Sequence, residues 1–357
     1  MVAAQSEPLE IVAGGSKRSV GRPVAGRVLD LSALDGVIDY AAAELVLTAH
    51  AATPLADIQA VLHAENQRLA FDPPDLAALL NCDARPTLGG TIAANWSGSR
   101  RLTAGAARDH FLGFEAVSGN GERFRAGGKV VKNVTGYDLP KLLAGSWGTL
   151  AVMTEVTVRV APAPESDLTL IIPDERPEEA LASMTAALGS PLDVSAAAFD
   201  PWRGTALRLE GFEASVASRE AALIQLINKE VSEKLGNRDS AVFWDAAGGG
   251  AGYADWPVVW RISVAPSEAV RVVNALKPER YTLDWAGGLI WAAYSGFDAA
   301  RVRSVIREGH ATVFKAPVEI RERTCVRQSS SAAIGALGEK IKQAFDPAHK
   351  LNPGRMD

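Results

Sequence analysis

Two prolines, Pro162 and Pro164, divide this sequence into two parts. They directly follow residues 150–160 (LAVMTEVTVRV), where valines recur on one face and predict a long amphipathic strand. Because proline lacks a backbone N–H and has a fixed φ, the strand cannot continue through both positions. We therefore predict one domain over residues 1–163 and a second that begins at residue 164.

The first part alternates strand and helix signals. Residues 45–49 (LVLTA) predict a strand, and Thr53 followed by Pro54 predicts a helix with threonine as its N-cap. Residues 119–121 (GNG) lie between two apolar stretches and predict a hairpin turn. These signals predict a domain of mixed helices and strands.

The second part predicts an antiparallel sheet with helices on one face. Its clearest helix signal covers residues 215–235, which Gly236 would end, and the small residues 246–254 predict a loop. The candidate strands are residues 168–172, 194–199, 206–209, 258–264 and 311–314. The predicted fold class is α+β, with the second domain over 164–325 and a C-terminal helix and ordered tail over 326–357.

Charge and cysteine usage exclude several classes of protein. Lys and Arg number 37 and Asp and Glu 42, and this net charge of -5 argues against a nucleic-acid-binding protein. Charge-free stretches such as residues 142–153 are shorter than the roughly 18 residues of a membrane span, so none is predicted. Cys82 and Cys325 form no CxxC pair, which argues against a cysteine-bound iron–sulfur cluster or zinc ion. Residues 1–10 show no signal-peptide pattern, and we expect a cytoplasmic protein.

The charge is unevenly distributed. Residues 151–200 hold 2 basic and 9 acidic residues, a net charge of -7, whereas residues 301–357 hold 11 basic and 6 acidic residues, a net charge of +5. Both stretches fit solvated surfaces. The alternative interpretation is that the basic C-terminal part faces an anionic substrate or an acidic partner subunit.

Four segments carry residues suited to a cofactor. Residues 14–18 (GGSKR) follow an apolar stretch, and their adjacent glycines allow backbone N–H groups to turn toward a pyrophosphate. The segment matches neither GxGxxG nor the P-loop, and a plain turn is the alternative. Residues 86–98 are small and polar enough to approach a flat group closely. The other two segments are residues 132–150 and the Pro- and Gly-rich residues 345–355.

In this order and spacing, the four segments resemble the FAD-binding family that includes vanillyl-alcohol oxidase and p-cresol methylhydroxylase. The stretches AGGSKRSVGRP, ARDHFLG, KNVTGYDL, TLDWAGGL and LNPGRM are similar to the FAD-binding subunits of bacterial glycolate oxidases. The resemblance implies a PCMH-type FAD-binding domain of two subdomains, followed by a smaller antiparallel-sheet cap domain. It also implies FAD as cofactor, held non-covalently because no histidine is placed for covalent attachment.

The resemblance further implies which residues contact FAD, in the pyrophosphate loop, along the flavin and its ribityl chain, and near the ring. These residues are Gly14, Gly15, Ser16, Lys17, Arg18, Pro86, Thr87, Gly89, Gly90, Thr91, Ala94, Asn95, Ser97, Gly98, Arg108, Asp109, Thr135, Tyr137, Asp138, Gly145, Gly148, Thr149, Leu150 and Val152.

Oxidation of a 2-hydroxy acid needs a base, a cation for the carboxylate and a flavin. The candidate cations are Arg261 and Lys315, although Arg261 also fits a surface or intersubunit ion pair. None of the five histidines shows metal-site spacing, so we predict no bound metal and identify no catalytic base. We therefore expect that this chain alone does not complete the reaction.

The resemblance implies the FAD-binding subunit of a heteromeric glycolate oxidase that forms glyoxylate. Its expected partners are a larger homologous FAD subunit, an iron–sulfur subunit and a small 2-hydroxy acid, with any membrane association made through those subunits. One alternative is a self-sufficient FAD-dependent 2-hydroxy-acid dehydrogenase. Another is a flavin-free structural subunit, against which the glycine motifs argue.

Overall fold

A five-stranded antiparallel sheet forms the centre of the first half in the computed structural model, which describes residues 2, 7–128, 138–173, 176–328 and 332–356. The strands of this half are β1 (Leu9–Val12), β2 (Arg27–Asp30), β3 (Val37–Ala41), β4 (Val46–His50), β5 (Gln67–Arg68), β6 (Phe111–Ser118), β7 (Arg123–Gly127), β8 (Ala151–Arg159) and β9 (Ala161–Pro162). The order in the large sheet is β3–β4–β8–β6–β7. Strands β1 and β2 form a separate parallel pair, and β5 pairs with β9.

Short helices cover this sheet because apolar residues recur on their inner faces. The helices are α1 (Leu55–Ala64), α2 (Ala77–Leu80), α3 (Leu88–Ala94), α4 (Arg101–Ala104), α5 (Ala107–His110) and α6 (Leu139–Leu143). Ile58 and Leu62 of α1 and Ile92 of α3 are fully buried against Leu47 and Val156 of the sheet.

The structure confirms two local predictions in this half and corrects a third. A strand covers Val46–His50, and the turn at residues 119–121 joins β6 and β7 as a hairpin. The predicted N-cap of α1 is wrong, because the Thr53 hydroxyl donates to the His50 carbonyl oxygen at 2.8 Å and caps no helix N–H. Pro54 is the N-cap instead.

An eight-stranded antiparallel sheet forms the second half, in the order β13–β10–β12–β11–β15–β16–β14–β17. Its strands are β10 (Ser166–Ile172), β11 (Val194–Asp200), β12 (Gly204–Gly211), β13 (Glu233–Gly236), β14 (Val258–Ser263), β15 (Arg280–Asp284), β16 (Leu289–Tyr294) and β17 (His310–Lys315). The helices from here on are α7 (Pro177–Leu188), α8 (Glu213–Ile227), α9 (Asn237–Gly249), α10 (Ala269–Leu276), α11 (Ala299–Val305), α12 (Val318–Arg323) and α13 (Ala332–Phe345). The fold class is therefore α+β, as predicted.

The two faces of this sheet pack differently. Helices α7, α8, α10 and α11 cover one face, around the fully buried Trp260. Helix α9 covers part of the other face, so the prediction of helices on one face only is wrong for α9. The rest of that second face carries Trp291 and Phe314, which pack against Trp96 and Leu79 of the first half. The two halves of the chain therefore share a hydrophobic interface.

Two predictions in the second half are wrong for identifiable reasons. The helix predicted over 215–235 ends at Ile227, because Asn228 adopts a left-handed conformation with φ of 52°, and residues 233–236 form β13. Residues 246–249 belong to helix α9 rather than to a loop. A Cβ on Gly249 would lie 2.2 Å from the Asp75 carbonyl oxygen, so this helix uses glycine to pack closely on the first half.

An ion cluster also joins the two halves. Arg208 of β12 donates to Asp167 at 2.6 Å and to Asp72 of the first half at 3.0 Å. Burial raises the pKa of the neighbouring Glu210, but Arg208, Arg100 and Arg68 outweigh burial and lower it to about 2. Glu210 therefore stays ionised at neutral pH.

The C-terminal tail returns to the first half. Asp346 is fully buried and accepts hydrogen bonds from the Lys342 ammonium at 2.7 Å and from the Leu351 N–H at 2.8 Å. The Asn352 side-chain oxygen accepts from the Ile11 N–H at 2.8 Å, beside strand β1. Strands up to residue 162 belong to the sheets of the first half, and strands from residue 166 onward belong to the eight-stranded sheet. The domain limits 1–163, 164–325 and 326–357 stay predictions. No helix within the described ranges is long and apolar enough to cross a bilayer.

Candidate functional site

The loop that joins β1 to β2 requires glycine at two positions. A Cβ on Gly14 would lie 1.8 Å from the Arg85 carbonyl oxygen, so no side chain fits there. Gly15 has a φ of +78°, in the left-handed region that side chains disfavour. The loop therefore passes directly over the segment that leads into helix α3.

This loop presents hydrogen-bond donors without acceptors. The backbone N–H groups of residues 14–17 donate no hydrogen bond to any residue that the structure describes. The Lys17 ammonium contacts the Ser16 hydroxyl at 3.5 Å, and burial lowers the pKa of Lys17 to about 8. Unpaired N–H groups and a cation at one concave surface suit a bound pyrophosphate.

A first cavity lies beside this loop. It is lined by Ile11, Val12, Ala13, Gly14, Gly15, Ser16, Lys17, Arg18, Leu31, Ala51, Thr87, Gly89, Gly90, Ala93, Trp147, Gly148, Ala151, Met153, Asn352 and Arg355. The tail helps to build it: the Arg355 guanidinium donates to the Lys17 carbonyl oxygen at 2.7 Å, and the Asn352 amide donates to the Trp147 carbonyl oxygen at 2.8 Å. The cavity thus depends on both ends of the chain.

A second cavity of about 620 Å³ lies between the two halves. It is lined by Ala94, Asn95, Trp96, Arg101, Gly145, Trp147, Arg261, Ser263, Trp285, Gly309, His310, Thr312, Phe314, Arg327, Gln328, Ile334 and Met356. Trp147 lines both cavities, so the two adjoin. An elongated ligand with a charged end and a flat end therefore fits along them.

Aromatic rings hold a guanidinium on the wall of the second cavity. The Arg261 Cζ lies 4.9 Å from the ring centroid of Trp285 and 5.2 Å from that of Trp96. Its Nε is buried with no hydrogen-bond partner in the described part of the chain. Burial, followed by the charge of Arg101, lowers the pKa of Arg261 to about 10, so it remains protonated at neutral pH.

Asp284 is the carboxyl group whose charge acts on this guanidinium, and its own hydrogen bonds are made within the protein. Asp284 is buried and accepts hydrogen bonds from the Ser99 hydroxyl at 2.8 Å and from the Trp285 N–H at 2.7 Å. Burial raises the pKa of Asp284 to about 6. The charge of Asp284 acts on Arg261, but Arg261 lines the cavity and Asp284 does not.

The structure gathers about half of the sequence-predicted residues around the two cavities. Those that line the first are Gly14, Gly15, Ser16, Lys17, Arg18, Thr87, Gly89, Gly90 and Gly148. Those that line the second are Ala94, Asn95, Gly145 and Arg261. Those that line neither are Pro86, Thr91, Ser97, Gly98, Arg108, Asp109, Asp138, Thr149, Leu150, Val152 and Lys315. Thr135 and Tyr137 lie outside the described residues.

Several of the predicted residues that line neither cavity make hydrogen bonds within the fold instead. The Ser97 hydroxyl accepts from the Ala107 N–H at 2.9 Å, and the Asp109 carboxylate accepts from the Ala106 N–H at 2.9 Å. The Lys315 ammonium donates to the Ala254 carbonyl oxygen at 2.5 Å, away from the second cavity. The exception is Thr91, whose buried hydroxyl has no partner among the described residues.

Sequence reasoning missed four groups of the site. Trp147 and Trp285 have φ values of 55° and 52°, which no local motif predicts, and His310 is placed by strand pairing. Asn352 was visible only as part of the motif LNPGR, whose density of proline and glycine indicated an ordered tail. Over the described residues, no group of three or more His, Cys, Asp or Glu side chains is arranged to hold a metal ion.

Comparisons with known proteins assign the family. A family model described as "FAD binding domain" matches residues 1–127. The glycolate oxidase subunit GlcE of Escherichia coli (strain K12) is 33% identical over 358 residues, which cover 98% of this chain and 92% of that protein. The chain belongs to the GlcE family. Its resemblance to the FAD-binding subunits of glycolate oxidases is thereby confirmed, and FAD is its cofactor.

More distant relatives match parts of this GlcE-family chain or its fold. A D-lactate dehydrogenase of Anaerostipes hadrus is 33% identical over 170 residues, which cover 48% of this chain and 34% of that enzyme. An alkyldihydroxyacetonephosphate synthase structure superposes with a TM-score of 0.63 at 14% identity, covering 97% of this chain and 72% of that one. This likeness shows that the two proteins share a fold.

Proposed function

We propose that this chain is the FAD-binding subunit of a heteromeric glycolate oxidase, in which it carries electrons from the oxidation of glycolate to glyoxylate. One observation supports this most directly. Two adjoining cavities meet at Trp147. Within the described chain, the first presents backbone N–H groups without acceptors and the second an Arg261 Nε without a hydrogen-bond partner. The first suits a dinucleotide and the second a small carboxylate.

We propose that FAD lies along both cavities. Residues 14–17 would hold the pyrophosphate through backbone N–H groups and the Lys17 ammonium, and Gly89 and Gly90 would allow a close approach of the chain beyond it. Asn95 and Gly145 would adjoin the ring. When bound, FAD supplies a two-electron acceptor. We propose that this binding is non-covalent.

The substrate carboxylate would bind Arg261. A guanidinium offers two parallel donors that match a carboxylate, and the tryptophan rings fix its orientation. Lys315 is the weaker candidate because its ammonium is directed to Ala254. No acid or base of the described chain is assigned to the chemical step here.

Partner subunits complete the proposal. Cys82 and Cys325 are single free cysteines, so an onward electron carrier of the iron–sulfur type would belong to another subunit. The proposed partners are a larger homologous FAD subunit and an iron–sulfur subunit. The proposed location is the cytoplasm, with any membrane association made through these subunits.

A self-sufficient 2-hydroxy-acid dehydrogenase is the second candidate function, and the cationic second cavity favours it. Both are tested on the chain purified alone, by recording its visible spectrum and then adding glycolate without oxygen. A flavin band that bleaches only after the partner subunits are added supports the heteromeric oxidase. Bleaching by the chain alone supports the second candidate, and the absence of a flavin band after FAD is added refutes both.

A further inference from the structure

Arg101 and Arg261 give the second cavity a cationic wall, and the carboxylates whose charge acts on them, Asp109 and Asp284, do not line the cavity. Arg101 and Arg261 both stack on Trp285, with their Cζ atoms 4.8 and 4.9 Å from its ring centroid. No Asp or Glu is found among the described residues that line this cavity. Two guanidinium groups on one ring repel each other, so a bound anion stabilises the arrangement.

Arg261 is held in place for such an anion. Trp96 and Trp285 fix its guanidinium by cation–π contacts, and its buried Nε lacks a partner within the described residues. A buried donor without an acceptor costs free energy, which a bound acceptor recovers. The planar fork of donors selects a carboxylate in preference to a spherical anion.

His310 lies on the same face of the sheet as Arg261. In the pairing of β14 with β17, Ser263 is opposite His310 and Arg261 is opposite Thr312. Arg261 and His310 are therefore diagonal neighbours, whose Cα atoms are about 7–8 Å apart in antiparallel pairs. Both side chains line the second cavity.

The imidazole of His310 is an available hydrogen-bond acceptor. It makes no hydrogen bond with the described residues. The charged groups that face it are Arg261 of β14, Arg327 after α12 and Arg101 of α4. Desolvation, together with these three cations, lowers the pKa of His310 below its usual 6.5. At neutral pH one ring nitrogen therefore carries a free lone pair.

We propose that Arg261, assisted by Arg101, binds the carboxylate of a small 2-hydroxy acid while His310 accepts a hydrogen bond from its 2-hydroxyl. His310 is then the residue that distinguishes 2-hydroxy acids from simple carboxylic acids. This inference deepens the proposed function and rests on it for the substrate class. It requires neither bound FAD nor turnover.

Tryptophan fluorescence of the purified full-length chain tests the proposal, because Trp96 and Trp285 contact Arg261. Sodium glycolate and sodium acetate are titrated at constant ionic strength near pH 7.5. We expect a Kd for glycolate at least tenfold below that for acetate, since a site built for a hydroxyl rejects the analogue without it. Arg261→Gln should weaken the binding of both acids at least tenfold.

Variants at His310 isolate the hydroxyl contact. His310→Ala should abolish the preference for glycolate and leave the Kd of acetate within about twofold, whereas His310→Gln keeps an acceptor and should retain part of the preference. The matched control is His63→Ala, on the exposed side of α1, which should change neither Kd. A thermal melt of each variant verifies that it is folded.

Two results would overturn the inference: equal affinity of the unmodified chain for glycolate and acetate, or a tenfold preference retained by His310→Ala. FAD uptake is recorded on the same samples. If the chain binds FAD but does not distinguish the two acids, the inference fails and the proposed function stands. If the chain distinguishes the acids but takes up no FAD, the proposed function fails instead.

Discussion

The substitution Gly14→Ala tests how the loop between β1 and β2 holds the cofactor. The added Cβ would lie 1.8 Å from the Arg85 carbonyl oxygen and 3.0 Å from Cγ2 of Thr87. Ordinary van der Waals contact begins at 3.4 Å, so the loop and the segment before α3 must separate by about 1.6 Å, the difference between the two distances. Because the oxygen belongs to the backbone, no side-chain rotation relieves the clash.

The cost of this separation falls mainly on FAD binding. Forcing an extra carbon atom into a packed site costs about 1–3 kcal/mol. In the FAD-free chain the loop can move outward, since its N–H groups at residues 14–17 have no partners among the described residues to lose. Because binding requires the original shape of the loop, the substitution lowers the affinity for FAD. At 1.4 kcal/mol per factor of ten, FAD binding should weaken about 5-fold to about 140-fold.

Titration of the FAD-free chain with FAD, followed by flavin fluorescence, measures this effect. The matched control is Gly236→Ala, where a Cβ meets nothing within 4 Å and the backbone is extended. We expect the control to bind FAD within about twofold of the unmodified chain. The reasoning is refuted if Gly14→Ala also binds within twofold, or if it lowers the free energy of unfolding of the FAD-free chain by as much as it lowers the affinity.

Three further predictions follow from charged groups. FAD affinity should fall as the pH rises through about 8, because burial lowers the pKa of Lys17 to about 8 and the ammonium then loses the charge that attracts the pyrophosphate. FAD titrations across this pH range measure the effect, and their pH dependence should disappear in Lys17→Met. Arg208→Met should cost about 3–5 kcal/mol in urea unfolding, because it leaves the nearly buried Asp167 without its cation. Arg176→Met, at an exposed ion pair, should have a much smaller effect, and equal losses would contradict this. Asp346→Ala removes the buried acceptor of the tail, so it should lower the free energy of unfolding by about 3 kcal/mol and speed proteolysis of the C-terminal segment. An unchanged cleavage rate would exclude this role.

The requirement for glycine in the loop between β1 and β2 was visible in the sequence because its constraint is local. Gly14 and Gly15 are adjacent, and their need for glycine arises from one turn and one close approach. The hairpin at residues 119–121 was predictable for the same reason. The end of α8 was also encoded locally, since asparagine, here Asn228, commonly adopts the left-handed conformation that ends a helix. The periodic apolar residues beyond it belong to a strand, and periodicity alone could not separate the two elements.

The rest of the candidate site depends on contacts that are distant in sequence. Asn352 reaches the first cavity because the buried Asp346 fixes the tail beside β1. His310 reaches the second cavity through strand register, and a shift of one residue would direct it to the opposite face of the sheet. Neither relation is visible in one sequence, because pairing between distant strands leaves no local motif.

Among the sequence-predicted residues, hydrogen-bond satisfaction distinguishes groups that are open to a ligand from groups that serve the fold, which residue type does not. Ser97 and Asp109 are both among the predicted FAD contacts, yet each accepts a hydrogen bond from a backbone N–H at residues 106–107 and so serves the fold. The N–H groups of residues 14–17 and the Nε of Arg261 have no partner in the described chain. Because an unsatisfied buried polar group is costly, natural folds keep such groups chiefly where a ligand completes them. The buried hydroxyl of Thr91 also lacks a partner among the described residues. Of the predicted residues that line neither cavity, Thr91 is therefore the one that most warrants a test for FAD contact.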